Sequence, residues 1–154
     1  MKILFVCTHN RCRSILAEAV ARQLGATTLE VRSAGSQPAG QVHPLSLQYL
    51  AEAGIATDGL QSQSWDAFED FAPDLVVTVC DSAAGEQCPV WFGKAVKVHW
   101  GLKDPSALAG SPDEIKAAFM ATIALLERRI RALLAAGPLA GDALKAKMEA
   151  LAHD

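Results

Sequence analysis

The chain has 154 residues, 51% hydrophobic and 20% charged, with a formal net charge of −3. That is enough chain for one domain with a real core, and the balance excludes both a disordered polymer and a nucleic-acid binder acting through a bulk positive field. No apolar run nears the roughly 20 residues of a bilayer span.

The apolar start, residues 3–7, is too short for a secretory signal and runs at once into polar His9 and Asn10. A cytoplasmic chain is the expectation. There, four cysteines point to catalysis, redox work or metal rather than structural bridges.

Residues 2–6 read as a buried strand. The segment Cys7-Thr8-His9-Asn10-Arg11-Cys12-Arg13-Ser14 follows, then a helix over 15–24 that Gly25 ends. A short strand over 29–32 is closed by Ser33-Ala34-Gly35. His43-Pro44 opens a second helix, with proline in its first turn, and Gly54 closes it. Residues 75–79 form another buried strand and 95–99 a weaker fourth. Ser111-Pro112-Asp113-Glu114 is a strong helix start: an N-cap, a proline at the first helical position and a capping box. Ile115, Phe119, Ile123, Leu126, Ile130 and Leu133 then mark one face, until Gly137-Pro138 stops the helix. Residues 142–151 suit a last helix, with Ala143, Leu144, Met148 and Leu151 spaced for packing. The chain thus divides into a body, 1–136, and a C-terminal helical extension, 137–154, on or near it. The fold class is α/β: a single doubly wound four-stranded parallel sheet, order 2-1-3-4, flanked by helices.

The segment after the first strand carries chemistry. Successive N–H groups from Thr8, His9, Asn10, Arg11, Cys12 and Arg13 can turn into one concavity, and a helix start adds its positive end. Arg13 can grip two oxygens of a tetrahedral anion in its planar fork. The same field favours the Cys7 thiolate. Asn10 tolerates the left-handed backbone that tight anion loops need. Cys12 reads as structural, packed beneath the loop.

In an order 2-1-3-4, ligands bind outside the carboxyl ends of strands 1 and 3. Cys7 ends the first of these and Cys80 the other. Neighbouring strands lie about 4.8 Å apart, close to the roughly 4.4–6.8 Å between the Cα atoms of a disulfide. Cys80 is therefore either a second thiol at the crevice or a small buried hydrophobe. Cys88 favours the first, because the polar stretch Cys80-Asp81-Ser82-Ala83-Ala84-Gly85-Glu86-Gln87-Cys88 reads as a flexible loop able to bring it back to Cys80. Asp104-Pro105, on a loop at the same edge, offers a carboxylic acid to a departing oxygen.

With these residues in view, the chain resembles the arsenate reductases of the low-molecular-weight tyrosine phosphatase-like family, of the thioredoxin-coupled type. The loop Cys7 to Ser14, the Cys80…Cys88-Pro89 segment and His99-Trp100-Gly101…Asp104-Pro105 carry the likeness, which runs to about residue 134. The resemblance implies that Cys7 attacks arsenate, that Arg13 and the loop amides bind it and that Ser14 assists the thiolate. Asp104 would donate a proton, Cys80 displace arsenite and Cys88 resolve the disulfide. It implies phosphate and sulfate as competing oxyanions, no bound cofactor or metal, and an external thiol reductant, thioredoxin or glutaredoxin. It also maps a monovalent cation onto Asn10, Glu18, Ser33 and Asp66, which read equally as a hydrogen-bond network bracing the loop.

His9 stands where many relatives carry glycine. Two other classes remain open. A tyrosine phosphatase could use the same loop, though Ser106-Ala107-Leu108 supply no aromatic walls for a phenyl ring. A metal-binding protein could use the four cysteines, though their spacing lacks the short pairs of zinc sites. Neither a nucleic acid nor a membrane is expected as partner.

Overall fold

The structure is a computed structural model in which residues 1–84, 92, 93 and 95–153 are described. Ile3, Leu4, Phe5 and Val6 of β1 (Lys2–Val6) are all buried, so both faces of this strand are covered. β1 pairs in parallel with β2 (Glu30–Ala34) on one side and β3 (Leu75–Thr78) on the other. β4 (Val96–His99) pairs with β3, giving the order β2-β1-β3-β4.

β2 runs two residues further than its apolar stretch suggests. The β1 ladder continues through Phe5↔Ser33 and Val6↔Ala34, so Ser33 and Ala34 are strand rather than turn. Helix α1 (Arg13–Leu24) begins earlier than expected, at Arg13, with Cys12 as its N-cap. Its residues Ser14 to Ala21 are all buried, and the alanines let it lie close against β2 and against α4 (Pro112–Ala135). α2 (Pro44–Glu52) is capped by His43, whose Nδ1 accepts the Leu45 N–H at 3.1 Å, and Pro44 fills its first turn.

The stretch after Cys80, read from the sequence as a flexible loop, starts as a helical turn, α3 (Asp81–Ala84), with Ala83 buried. Short 3-10 segments at Trp65–Phe71 and Pro105–Ala107 also escape the sequence reading. On α4 the expected face is buried from Phe119 to Leu133, with Ile115 half-buried; Arg129 joins it, its guanidinium 5.3 Å from the Trp100 ring centre. Ser111 caps α4 by accepting the Glu114 N–H at 3.2 Å, while its hydroxyl donates to the Glu114 carboxylate.

α5 (Gly141–Leu151) lies against β4. Leu144, Met148 and Leu151 enter the same core as the sheet, whereas Ala143, which the spacing assigned to the packed face, is exposed. Fully buried Trp100 donates its indole N–H to the Met148 carbonyl at 2.9 Å, so α5 satisfies a polar group the sheet itself cannot. No helix among the described residues is long and apolar enough to cross a membrane.

Candidate active site

The carboxyl end of β1 delivers Cys7 into a loop that turns back as α1. Asn10 makes the turn with φ +45°, the left-handed conformation its side chain tolerates. The Asn10 side chain is wholly buried and fully used. Its Oδ1 accepts the Gln63 N–H at 2.8 Å, and its Nδ2 donates to Ser14 Oγ at 2.8 Å and Ser33 Oγ at 3.0 Å. Ser33 in turn donates to Glu18 at 2.5 Å. Burial raises the Glu18 pKa, against Ser33 and the charge of Arg22.

Three of the four mapped cation ligands thus brace one another. Asp66 is exposed and caps nothing in this cluster; its own N–H goes to Ser64. The Asn10 amide faces the serines with donors, because Gln63 occupies its oxygen. The set does not fit a cation cage.

The loop is pressed against the end of β2. A Cβ at Gly35 would stand 2.4 Å from the carbonyl oxygens of both Cys7 and Thr8, so only glycine lets the two backbones meet. Gln37 N–H and Ala39 N–H bind the carbonyls of Thr8 and His9 at 2.9 Å. With its outer carbonyls tied down, the loop keeps the N–H groups of Arg11, Cys12, Arg13 and Ser14 out of backbone pairing among the described residues.

Arg13 opens α1 with its side chain over this concavity. Its Nη1 donates to the Leu102 carbonyl at 3.1 Å, and Nη2 lies 3.7 Å from Asp104 Oδ2. Its Nε is buried and has no acceptor among the described residues, a donor that an oxyanion in the loop would satisfy. Asp104 Oδ1 accepts from the Ser106 N–H at 3.0 Å and its hydroxyl at 2.6 Å, which aims the carboxylate at Arg13. Cys7, His9, Arg11, Arg13, Asp104 and Ser106 line a cavity of about 270 Å³. A larger apolar cavity of about 990 Å³ opens at the amino ends of the strands, beside Met1, Leu29, Ala95 and Leu144. Among the described residues no cysteine, histidine or arginine lines it. The chemistry belongs to the smaller one.

Cys7 and Cys80 are both buried. Cys80 is pushed down to about 5, first by the Cys7 thiol and then, against burial, by the N–H groups of Thr8 and Ala83 and the Thr8 hydroxyl. The Thr8 N–H lies 3.4 Å from its sulfur. Cys7 is pushed up, chiefly by Cys80 and by burial, although Arg13 and the His9 N–H pull the other way. The two sulfurs therefore titrate as a coupled pair, with the charged form favoured at Cys80 and opposed at Cys7. Cys12 lies beneath the loop, its thiol raised chiefly by burial. His9 is exposed at the mouth, with Nδ1 donating to the Gln37 carbonyl at 3.0 Å. The Ser14 hydroxyl accepts from Asn10 Nδ2 at 2.8 Å, which leaves its own hydrogen to donate. Cys88 lies outside the described residues.

Sequence reasoning did not find Gly35, Gln63, Ser106 or the Leu102 carbonyl. Backbone contacts of this kind leave no sign in side-chain pattern. Gly35 alone carried a signal, as a glycine directly after a strand.

A Cys-x5-Arg loop at the carboxyl edge of a 2-1-3-4 parallel sheet, with an acid facing the arginine, defines a cysteine-based oxyanion enzyme of phosphatase fold. Residues 2–150 match the family model of low molecular weight phosphotyrosine protein phosphatases, and the chain belongs to that family. An arsenate reductase of Halalkalibacterium halodurans is 33% identical over 135 residues, which is 88% of this chain and 96% of the relative. Among solved structures, an arsenate reductase in the phosphate binding state superposes with a TM-score of 0.73 at 29% identity, covering 88% of this chain and 97% of the other. A thioredoxin-dependent arsenate reductase of Corynebacterium glutamicum gives 0.67 at 29% identity, over 88% and 60%.

Proposed function

We propose that the protein reduces arsenate to arsenite with a relay of its own thiols. The observation that carries this reading is the second thiol: buried Cys80 follows the strand that pairs with β1, and its sulfur reaches the floor of the oxyanion loop, 3.4 Å from the Thr8 N–H next to Cys7. Hydrolysis of a phosphomonoester has no use for such a group, and Ser106 and Ala107 stand at the cavity where an aromatic ring would need walls.

Arsenate enters the loop against the free N–H groups and the Arg13 fork. Within the thiol pair the proton crosses from Cys7 to Cys80, and the Cys7 thiolate attacks arsenic. An S–As bond forms, and one arsenic-bound hydroxyl departs with the electron pair of its As–O bond, leaving as water once it takes a proton from the Asp104 carboxyl. Cys80 then gives its proton to an arsenic-bound oxygen, and its thiolate attacks the Cys7 sulfur. The S–S bond forms, the S–As bond breaks and the electron pair leaves on arsenic. As(V) becomes As(III), released as arsenite, and two thiols have become one disulfide. Cys88 attacks Cys80, frees Cys7 and leaves a Cys80–Cys88 disulfide for an external dithiol of the thioredoxin type to reduce.

In this reading residues 1–136 carry the chemistry, and 137–154 close the β4 edge. Asn10, Ser33 and Glu18 act as a brace without a cation, and a relay that starts from reduced thiols assigns the protein to a reducing compartment, the cytoplasm. The test is NADPH oxidation by thioredoxin reductase and thioredoxin in the presence of the pure protein. Oxidation that depends on arsenate supports the reading. Its absence, alongside steady hydrolysis of p-nitrophenyl phosphate, returns the protein to the phosphatases.

A further inference from the structure

His99 ends β4 next to Cys80, and its ring joins three elements. Nδ1 lies 2.8 Å from Thr78 Oγ1 on β3 and 3.1 Å from the Thr78 carbonyl; Nε2 lies 3.0 Å from Asp81 Oδ1 at the start of α3. A carboxylate only accepts, so Nε2 carries the hydrogen. Nδ1 meets the Thr78 hydroxyl, and the Thr78 carbonyl also receives the Trp100 N–H at 2.8 Å. A hydrogen-bonded chain therefore joins Thr78, His99 and Asp81, from the sheet into the first residue of α3.

Gly101 keeps the room for it. A Cβ there would stand 3.2 Å from His99 Nε2 and 3.4 Å from Asp81 Oδ1. The Asp81 side chain is 96% exposed, so packing does not place it; the hydrogen bond from His99 does.

Asp81 follows Cys80 directly and opens α3, so the backbone that carries the Cys80 side chain is the one His99 anchors. What sets α3 sets Cys80. We propose that His99 is a positioning residue for the reduction: anchored on Thr78, it holds Asp81 and the α3 turn so that Cys80 meets the Cys7 sulfur in line. The inference deepens the arsenate-reductase reading and rests on it. The step it governs is the one in which the Cys7–Cys80 bond forms and arsenic leaves with the electron pair. Attack by Cys7 on an aryl phosphate uses the loop, Arg13 and Asp104 and does not require Cys80 to meet the Cys7 sulfur in line.

The test compares wild type with H99L, H99Q, D81A and D81N in two assays on the full chain. One is arsenate reduction with thioredoxin; the other is p-nitrophenyl phosphate hydrolysis. A loss of position of this kind lowers kcat for arsenate about tenfold in H99L and D81A with KM little changed. Aryl phosphate hydrolysis stays near wild type, and H99Q and D81N, which keep a donor and an acceptor, recover most of the loss. Asp81 is exposed, so D81A reads the contact even where H99L fails to fold. Unchanged arsenate turnover in D81A and H99L overturns the proposal. So does a parallel fall in both assays, or H99Q as poor as H99L. A wild-type enzyme without arsenate turnover overturns the functional reading itself and the proposal with it, a result distinct from any of these because it precedes the variants.

Discussion

Arg13 and Asp104 face each other across the mouth of the loop, Nη2 to Oδ2 at 3.7 Å, while the other end of the guanidinium is fixed on the Leu102 carbonyl. The separation is long for a bidentate pair, so the arginine is oriented without being fully occupied. Substrate oxygen can take the Nε and Nη2 donors while Nη1 keeps its hold on the loop that carries Asp104. Binding and proton donation are then registered against one side chain.

R13K follows from this. Lysine keeps the charge but offers neither the fork nor the fixed contact to Leu102. We expect kcat/KM for arsenate and for p-nitrophenyl phosphate to fall together by at least about tenfold, roughly 1.4 kcal/mol. A smaller loss in steady-state kinetics would mean that Arg13 is not the oxyanion clamp.

The thiol pair has a pH signature. Cys80 lies at about 5 against an ordinary thiol value of 9.0, chiefly because of the Cys7 thiol. A group depressed in the folded state contributes stability that is complete above its unfolded value and is lost as pH falls through the folded one. Thiolate absorbance in the ultraviolet is therefore expected to titrate near pH 5 in wild type, and higher in C7A, where the leading cause is gone. The melting temperature of wild type relative to C80A should rise between pH 5 and pH 8. A titration that stays near 5 in C7A would show that the backbone donors, not the sulfur pair, hold the charge.

Gly35 tests the loop through its backbone alone. In G35A a methyl must fit 2.4 Å from two carbonyl oxygens that cannot swing away. Overpacking of this sort costs about 1–3 kcal/mol, and here the strain falls on Cys7 and Thr8 themselves. We expect a melting point several degrees lower and both activities reduced, measured by calorimetry and by the two assays. A fully active G35A would mean that the loop tolerates displacement from β2.

What could be read in the sequence is what one segment or one period carries. Cys7 to Ser14 announces itself because nucleophile, anion clamp, turn residue and helix start share a short run between a strand and a helix. The order 2-1-3-4 follows from alternating patterns and then places Cys80 beside Cys7. Asp66 shows the opposite case. A carboxylate in the right stretch looks like a ligand, yet the position next to Asn10 is filled by the Gln63 N–H, a backbone group with no sequence mark. The 3-10 segment Trp65–Phe71 is invisible because Phe68 breaks its helical geometry and no regular period results. Ser33 and Ala34 read as turn residues because small side chains suit turns, but the β1 ladder and the partners of the Ser33 hydroxyl make them strand.

The relay separates the two chemistries of this fold most directly. C7S should abolish both arsenate reduction and aryl phosphate hydrolysis, since serine in the same loop is a far weaker nucleophile at neutral pH. C80S and C88S should each stop cycling with arsenate yet keep hydrolysis, which the loop performs alone. Their blocks should differ. Without Cys80 no internal thiol reaches the Cys7 sulfur, and no disulfide forms. Without Cys88 the Cys7–Cys80 disulfide forms once and accumulates. In wild type treated with arsenate and no reductant, Cys80–Cys88 should accumulate instead, leaving Cys7 open to alkylation. Peptide mapping after alkylation distinguishes all three. A C88S enzyme that turns over normally with thioredoxin would mean that the external dithiol attacks the Cys7–Cys80 bond itself, and the relay would shrink to the pair the structure brings together.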